Sequence, residues 1–151
     1  MSEWKQLTEY ISKSKTILLS THRDPDGDGL GSEIGFYYYL KSIDKNVNIV
    51  NISPTPDKYK FLDQEQIIQA YDGEMNSLIS EADLVIVFDL GDFTRLGELG
   101  EKIKENTDRS FWASFLNKGV IKHVTIGCKY LIELIIFSKP SNTGSLEAAT
   151  Y

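Results

Sequence analysis

The sequence predicts a three-layer α/β domain with a mainly parallel sheet and flanking helices. Short, apolar, β-branched runs at residues 15–21 and 83–89 read as buried strands. Segments with helical spacing lie between and after them, and a turn rich in Asp and Gly follows each run. A chain of 151 residues, 41% hydrophobic and 25% charged, supplies one domain with one core. No repeat, low-complexity tract or linker divides residues 1–151.

The elements follow in chain order. Trp4, Leu7, Tyr10 and Ile11 recur at helical spacing, which predicts an amphipathic helix. Residues 15–21 (KTILLST) form the first strand, and residues 22–29 a turn. A helix then starts near Asp28 and runs to Ser42, with Ile34, Phe36, Tyr37, Tyr38 and Leu40 as its apolar faces. Residues 46–52 read as the next strand, and Pro54 and Pro56 mark a loop. Residues 57–62 make one helical turn with Asp57 as its N-cap. Residues 74–81 read as helix, 83–89 as the clearest strand, and 94–106 as helix again. Beyond Thr107 the pattern weakens. Residues 120–126 and 131–137 are expected as strands, 141–145 as a loop and 145–151 as the start of a helix. Parallel sheets of this kind place ligand sites at the carboxyl ends of their strands, and both acidic turns fall there.

Composition narrows the function classes. A net charge of −6 opposes non-specific binding to duplex DNA, whereas a small phosphorylated substrate at a metal site is compatible with it. The single cysteine, Cys128, forms no intramolecular disulfide, builds no cysteine cluster for zinc, and reads as a core thiol. No signal-like segment opens the chain, and the longest apolar run, residues 131–137, is short and contains Glu133. A soluble cytoplasmic protein with no membrane partner is therefore expected. Asn51-Ile52-Ser53 fits a glycosylation sequon and is read as chance.

The chemistry lies in two constellations. His22-Arg23-Asp24-Pro25-Asp26-Gly27-Asp28-Gly29 crowds an imidazole and several carboxylates onto one turn. Uncompensated, those carboxylates repel one another; a divalent cation removes the conflict. The mixture suits Mn2+, with Mg2+, Co2+, iron or zinc as alternatives. Gly27 and Gly29 are expected to tighten the backbone so that Asp26 and Asp28 point into one site. A capped helix start is the competing reading. In the second constellation, Val87-Phe88-Asp89-Leu90-Gly91-Asp92-Phe93-Thr94-Arg95-Leu96-Gly97, Asp89 ends a buried strand and is a candidate bridging ligand between two cations. Asp92 is a candidate helix cap. Arg95 is a candidate for binding substrate, or pairs with a surface carboxylate.

These motifs resemble those of the DHH family of phosphoesterases. His22, Pro25, Asp26 and Asp28, followed by Gly31-Ser32, match its opening motif; Asp89, Asp92, Arg95, Leu96 and Gly97 match its second. Pro56, Tyr59, Lys60, Phe61 and Leu62 resemble a loop of the subgroup of RecJ-like oligoribonucleases and phosphoadenosine-phosphate phosphatases. The likeness is specific over residues 15–100. It implies a DHH domain in which His22, Asp26 and Asp89 hold one metal, while Asp28 and Asp89 contribute to a second. It also implies hydrolysis of short oligoribonucleotides or nucleotide phosphates by a metal-activated water. The Asp-His-His motif itself is missing. Residues 120–125 resemble it with Ile121 and Lys122 in place of its Asp and first His, and His123 matches the second His, near the substrate. Ser141-Asn142-Thr143-Gly144 resembles a later family loop. The chain is thus expected to be the N-terminal domain alone, divergent over 109–151 and without the substrate-binding domain. A non-catalytic remnant holding one metal or a nucleotide is the alternative, and exposed sheet edges would favour homo-oligomers. A dinucleotide-binding module fits poorly, because the glycines after the first strand are misplaced for a phosphate-binding turn and its carboxylates would repel a pyrophosphate.

Overall fold

The computed structural model describes residues 3–106, 123–124 and 132–138. Its elements are α1 (Glu3–Lys13), β1 (Thr16–Thr21), α2 (Gly27–Ser42), β2 (Asn46–Asn51), a 3-10 helix (Asp57–Leu62), β3 (Ile68–Ala70), α3 (Asn76–Glu81), β4 (Leu84–Phe88), a second 3-10 helix (Phe93–Leu96), α4 (Gly97–Asn106), β5 (His123–Val124) and β6 (Ile132–Ser138). The sheet order is β3-β2-β1-β4-β6-β5. β3, β2, β1 and β4 run parallel, and β6 and β5 add antiparallel pairs at the far side. The α/β class and the mainly parallel sheet are as the sequence predicts. Among the described residues, no helix is long and apolar enough to cross a membrane.

Alternation along the strands builds two cores, one on each face of the sheet. Ile17 and Leu19 of β1, Val47 and Ile49 of β2, and Leu84, Ile86 and Phe88 of β4 pack with Leu7, Ile11 and Leu40 of α1 and α2. Leu18, Val50, Val85 and Val87 face the other way, against Ile79 of α3 and Leu99 and Ile103 of α4. Helices therefore cover both faces, giving the three layers. Asp83 fixes the register at the amino end of the sheet: its Oδ2 accepts the N–H groups of Lys15 (2.9 Å) and Thr16 (3.0 Å).

Several local expectations are corrected. The 3-10 helix at 57–62 has Pro56, not Asp57, at its N-cap, and Asp57 instead pairs with Lys60 at 2.7 Å. Residues 94–106 are not one helix. Gly97, at φ +53°, ends the 3-10 helix before α4 begins, a backbone region that costs a side-chain-bearing residue stability. In α2, Leu30 and Leu40 are buried, whereas Tyr38 is 46% exposed and lies off the core. β3 escapes the sequence pattern because Ile-Gln-Ala is three residues long and none of them is buried. The expected strand at 120–126 contains the observed β5, and that at 131–137 overlaps β6, which runs one residue further. Cys128 and the expected elements at 141–151 lie outside the described residues.

One polar group stands out in the interior. Glu33 of α2 is fully buried and accepts from Asn51 Nδ2 at 2.7 Å, while its other oxygen has no partner among the described residues. Burial pushes its carboxyl up from 4.5 to about 8; the Asn51 hydrogen bond works against that shift and the charge of Asp63 adds to it. Holding a proton costs less there than holding a charge. Between those two values the folded chain binds a proton that the unfolded chain has released. This contribution to stability is complete below pH 4.5 and is lost as pH rises through about 8. Glu33→Gln is expected to abolish that slope, which for one proton approaches ~1.4 kcal/mol per pH unit. Urea denaturation of both proteins across this window measures it, and parallel pH profiles would exclude the assignment.

Candidate metal centre

β1 and β4 are neighbours in register, and their last paired residues are Thr21 and Phe88. The next residue on each strand is His22 and Asp89. Parallel strands stand roughly 4.8 Å apart, so the two side chains emerge together at the carboxyl edge of the sheet. His22 Nε2 lies 3.2 Å from Asp89 Oδ2. The imidazole is 3% exposed and the carboxylate 37%, which leaves one side of the pair open to solvent.

Hydrogen bonds around this edge hold it in place. Thr21 Oγ1 donates to the carbonyl of Phe88 (3.0 Å), tying the ends of β1 and β4 together. The backbone N–H of Thr21 donates to Asn51 Oδ1 (2.9 Å), which brings in the end of β2. Asp89 itself sits at φ +52°. That left-handed conformation costs roughly 1–2 kcal/mol for a residue with a Cβ, least for Asp, Asn and Gly. The strain is local to the strand end from which the carboxylate leaves the sheet.

Asp26 completes the group. It is the N-cap of α2, and its Oδ1 accepts the N–H groups of Asp28 (3.0 Å) and Gly29 (3.2 Å). Capping engages one carboxylate oxygen and leaves Oδ2 for another partner. The helix-cap and metal readings of this turn are therefore compatible. Ligand atoms of His22, Asp26 and Asp89 all lie within 4.8 Å of one another. One imidazole and two carboxylates converging at that spacing fit a divalent cation of the Mn2+, Fe2+, Co2+ or Zn2+ type.

The remaining sequence candidates take other positions. Asp28 lies outside the triad, exposed on the first turn of α2. Gly27 and Gly29 do not aim it inward, since both lie within the helix and neither has positive φ. Gly29 is required for a different reason: a Cβ there would run into the Thr21 side chain. At Gly27 the Tyr59 ring lies 3.5 Å from where a Cβ would be, so the 57–62 segment borders the site. Asp92 caps the second 3-10 helix through the Thr94 N–H (2.9 Å), and that bond holds its carboxyl below the usual range. Arg95 reaches His22, with Nη2 2.7 Å from Nδ1. His123 pairs with Glu133 of β6, and Leu134 pairs with Phe88. Register thus puts His123 level with Asp89, two strands away and roughly 10 Å across the sheet.

Sequence reading missed the support beneath the triad: Thr21, Asn51 and Glu33. The available signal was a polar residue, Asn51, at the end of a strand beside Ile49 and Val50. Asn51 is fully buried, with both ends of its amide engaged. The sequon it begins is accordingly unusable in the folded chain, in line with its reading as chance.

Sheet, helical layers and triad together define an α/β domain with an imidazole–carboxylate centre at the carboxyl ends of its central strands. Among solved structures, the crystal structure of an exopolyphosphatase-related protein from Bacteroides fragilis matches it with a TM-score of 0.64 and 30% sequence identity, over 70% of this chain and 32% of that one. The chain spans about a third of that protein's length. No protein-family model matches the sequence, and no curated protein matches it.

Gly29→Ala is expected to lower stability by about 1–3 kcal/mol through overpacking between α2 and β1. Urea denaturation checks this, and a stability equal to that of the parent chain would mean that the helix start has room to move.

Proposed function

We propose that this chain is the metal-binding part of a DHH-type phosphoesterase that hydrolyses phosphate esters in short oligoribonucleotides or nucleotide phosphates. The observation that carries the proposal is the triad: His22 and Asp26 from one motif and Asp89 from the other converge on a single point. The likeness to an exopolyphosphatase-related protein supports a phosphate-hydrolysing role of the same general kind.

His22, Asp26 and Asp89 would hold a divalent cation, with Mn2+ as the first choice and Mg2+ or Co2+ as alternatives. When bound, such a cation supplies Lewis acidity toward a phosphoryl oxygen and makes water acidic enough to act as nucleophile. The protein then needs no nucleophilic side chain, and its own residues position and neutralise. Asp26 and Asp89 offer the negative charge, and the α2 N-terminus, capped by Asp26, fixes one carboxylate oxygen and leaves the other. His22 presents Nε2 at the same point from a buried ring. Asp28 is proposed to hold a second ion with Asp89, more weakly because it lies outside the triad. Arg95 and His123 are proposed to meet substrate, Arg95 from beside His22 and His123 from the far strand at the same level. A small phosphorylated substrate suits an acidic chain, and duplex DNA does not.

Mn2+ titration by calorimetry is expected to show one tighter and one weaker ion per chain. Asp26→Ala or Asp89→Ala should weaken the tighter site by at least about a hundredfold, more than loss of an outer-shell partner costs, and Asp28→Ala should remove only the weaker ion. Mn2+-dependent hydrolysis of a dinucleotide, a nucleotide phosphate and inorganic polyphosphate, assayed side by side, identifies the substrate class. Hydrolysis that survives in Asp26→Ala and Asp89→Ala would sink the proposal.

A further inference from the structure

An imidazole nitrogen either carries a hydrogen and donates or lacks one and accepts. His22 Nδ1 has two neighbours that make opposite demands. Arg95 Nη2, at 2.7 Å, can only donate, whereas the Arg23 carbonyl oxygen, at 2.8 Å, can only accept. The ring satisfies one of them at a time, and the state of Nε2 decides which.

With no cation at the triad, Nε2 faces the Asp89 carboxylate at 3.2 Å. A carboxylate accepts, so the hydrogen belongs on Nε2. Nδ1 then accepts from Arg95, and the Arg23 carbonyl gets nothing from the ring. A cation at the triad requires the Nε2 lone pair, as metal-ligating imidazoles do. The hydrogen then belongs on Nδ1, where it donates to the Arg23 carbonyl. Nδ1–H now points at a guanidinium that has only N–H groups to offer. One proton leaves Nε2 for solvent and one arrives at Nδ1, so no net proton is taken up or released.

The ring cannot turn aside, because His22 is 3% exposed. Nor can the Arg95 backbone, whose carbonyl accepts from Arg23 N (2.9 Å) and whose N–H donates to the Asp92 carbonyl (3.0 Å). The exposed Arg95 side chain is what moves: among the described residues it makes no ion pair within 4.0 Å, and the Asp92 carboxylate only feels its charge from further away. From this geometry we infer that Arg95 is a metal-released anion ligand: its guanidinium caps His22 while the centre lacks a cation, and cation binding sets it free to take a phosphate oxygen. The inference rests on the triad holding a metal, as proposed above. It makes the phosphate site a consequence of metal loading, and linkage requires phosphate to tighten the metal by the same factor. It also makes Arg95 a competitor of the metal for the ring.

The test uses the full chain labelled with 15N at histidine, Zn2+ as a diamagnetic probe, and inorganic phosphate as the anion. The His22 ring is expected to change from the Nε2–H to the Nδ1–H tautomer when Zn2+ binds. By calorimetry, Arg95→Met should bind Mn2+ about tenfold more tightly, the scale of one lost hydrogen bond to a charged group. The same variant should lose most of the metal-induced gain in phosphate affinity. An Nδ1–H ring in the metal-free chain, or metal binding no tighter in Arg95→Met, overturns the inference and leaves the metal centre standing. Absence of metal binding by the parent chain overturns both. Should Arg95→Met fail to fold, the tautomer of the parent chain decides alone.

Discussion

The parallel pairing of β1 with β4 ends at Thr21 and Phe88, and the candidate metal centre is built on the residues that come next. Because the strands are adjacent, parallel and in register, His22 and Asp89, 67 positions apart in the chain, become neighbours. A slip of one residue would turn one of them to the opposite face of the sheet. The register is held at both ends: Asp83 binds the start of β1, and the Thr21 hydroxyl binds the end of β4. The two apolar cores, on opposite faces, make any other register costly, since it would expose Ile17 and Leu19 or bury polar groups in their place.

The third member of the triad comes from a helix and not from a strand. Asp26 satisfies two N–H groups at the start of α2 with one oxygen, and this fixes the direction of the other. Local helix chemistry and site chemistry therefore use the same side chain. The close approach of α2 to β1, possible only because residue 29 has no side chain, brings that oxygen to the strand ends. Below the triad, Asn51 links Thr21 to Glu33, so that a buried polar network extends from the centre of α2 to the backbone next to His22. Such a network holds the strand end in one position, at the cost of an oxygen left without a partner among the described residues.

Charge around the centre is asymmetric. Carboxylates lie on the Nε2 side of the imidazole, and the Arg95 guanidinium lies on the Nδ1 side. A single imidazole ring separates an acidic pocket from a cation. This arrangement links the two motifs through one side chain, beyond the ligand geometry itself.

Much of the fold was legible in the sequence, because hydrophobic alternation and helical spacing are local. The strands at 15–21 and 83–89 and the helix after the first turn were found nearly to the residue. The residue types of the centre were legible too, since three of the four predicted ligands, His22, Asp26 and Asp89, converge. Other features were not. Asp28 carries the same motif signal as Asp26, but it stands two positions further on, within the first turn of α2, and only the geometry of the helix start separates the capping residue that joins the triad from the one that does not. The contact of Arg95 with the His22 ring, the burial of Glu33 and the support from Asn51 depend on segments far apart in the chain and brought together by packing. Local pattern and residue chemistry were enough to place the main strands and helices and to single out side chains whose donor atoms suit a metal. Which of those side chains meet could be read only from the packed fold, because adjacency across a parallel sheet is set by strand order and register.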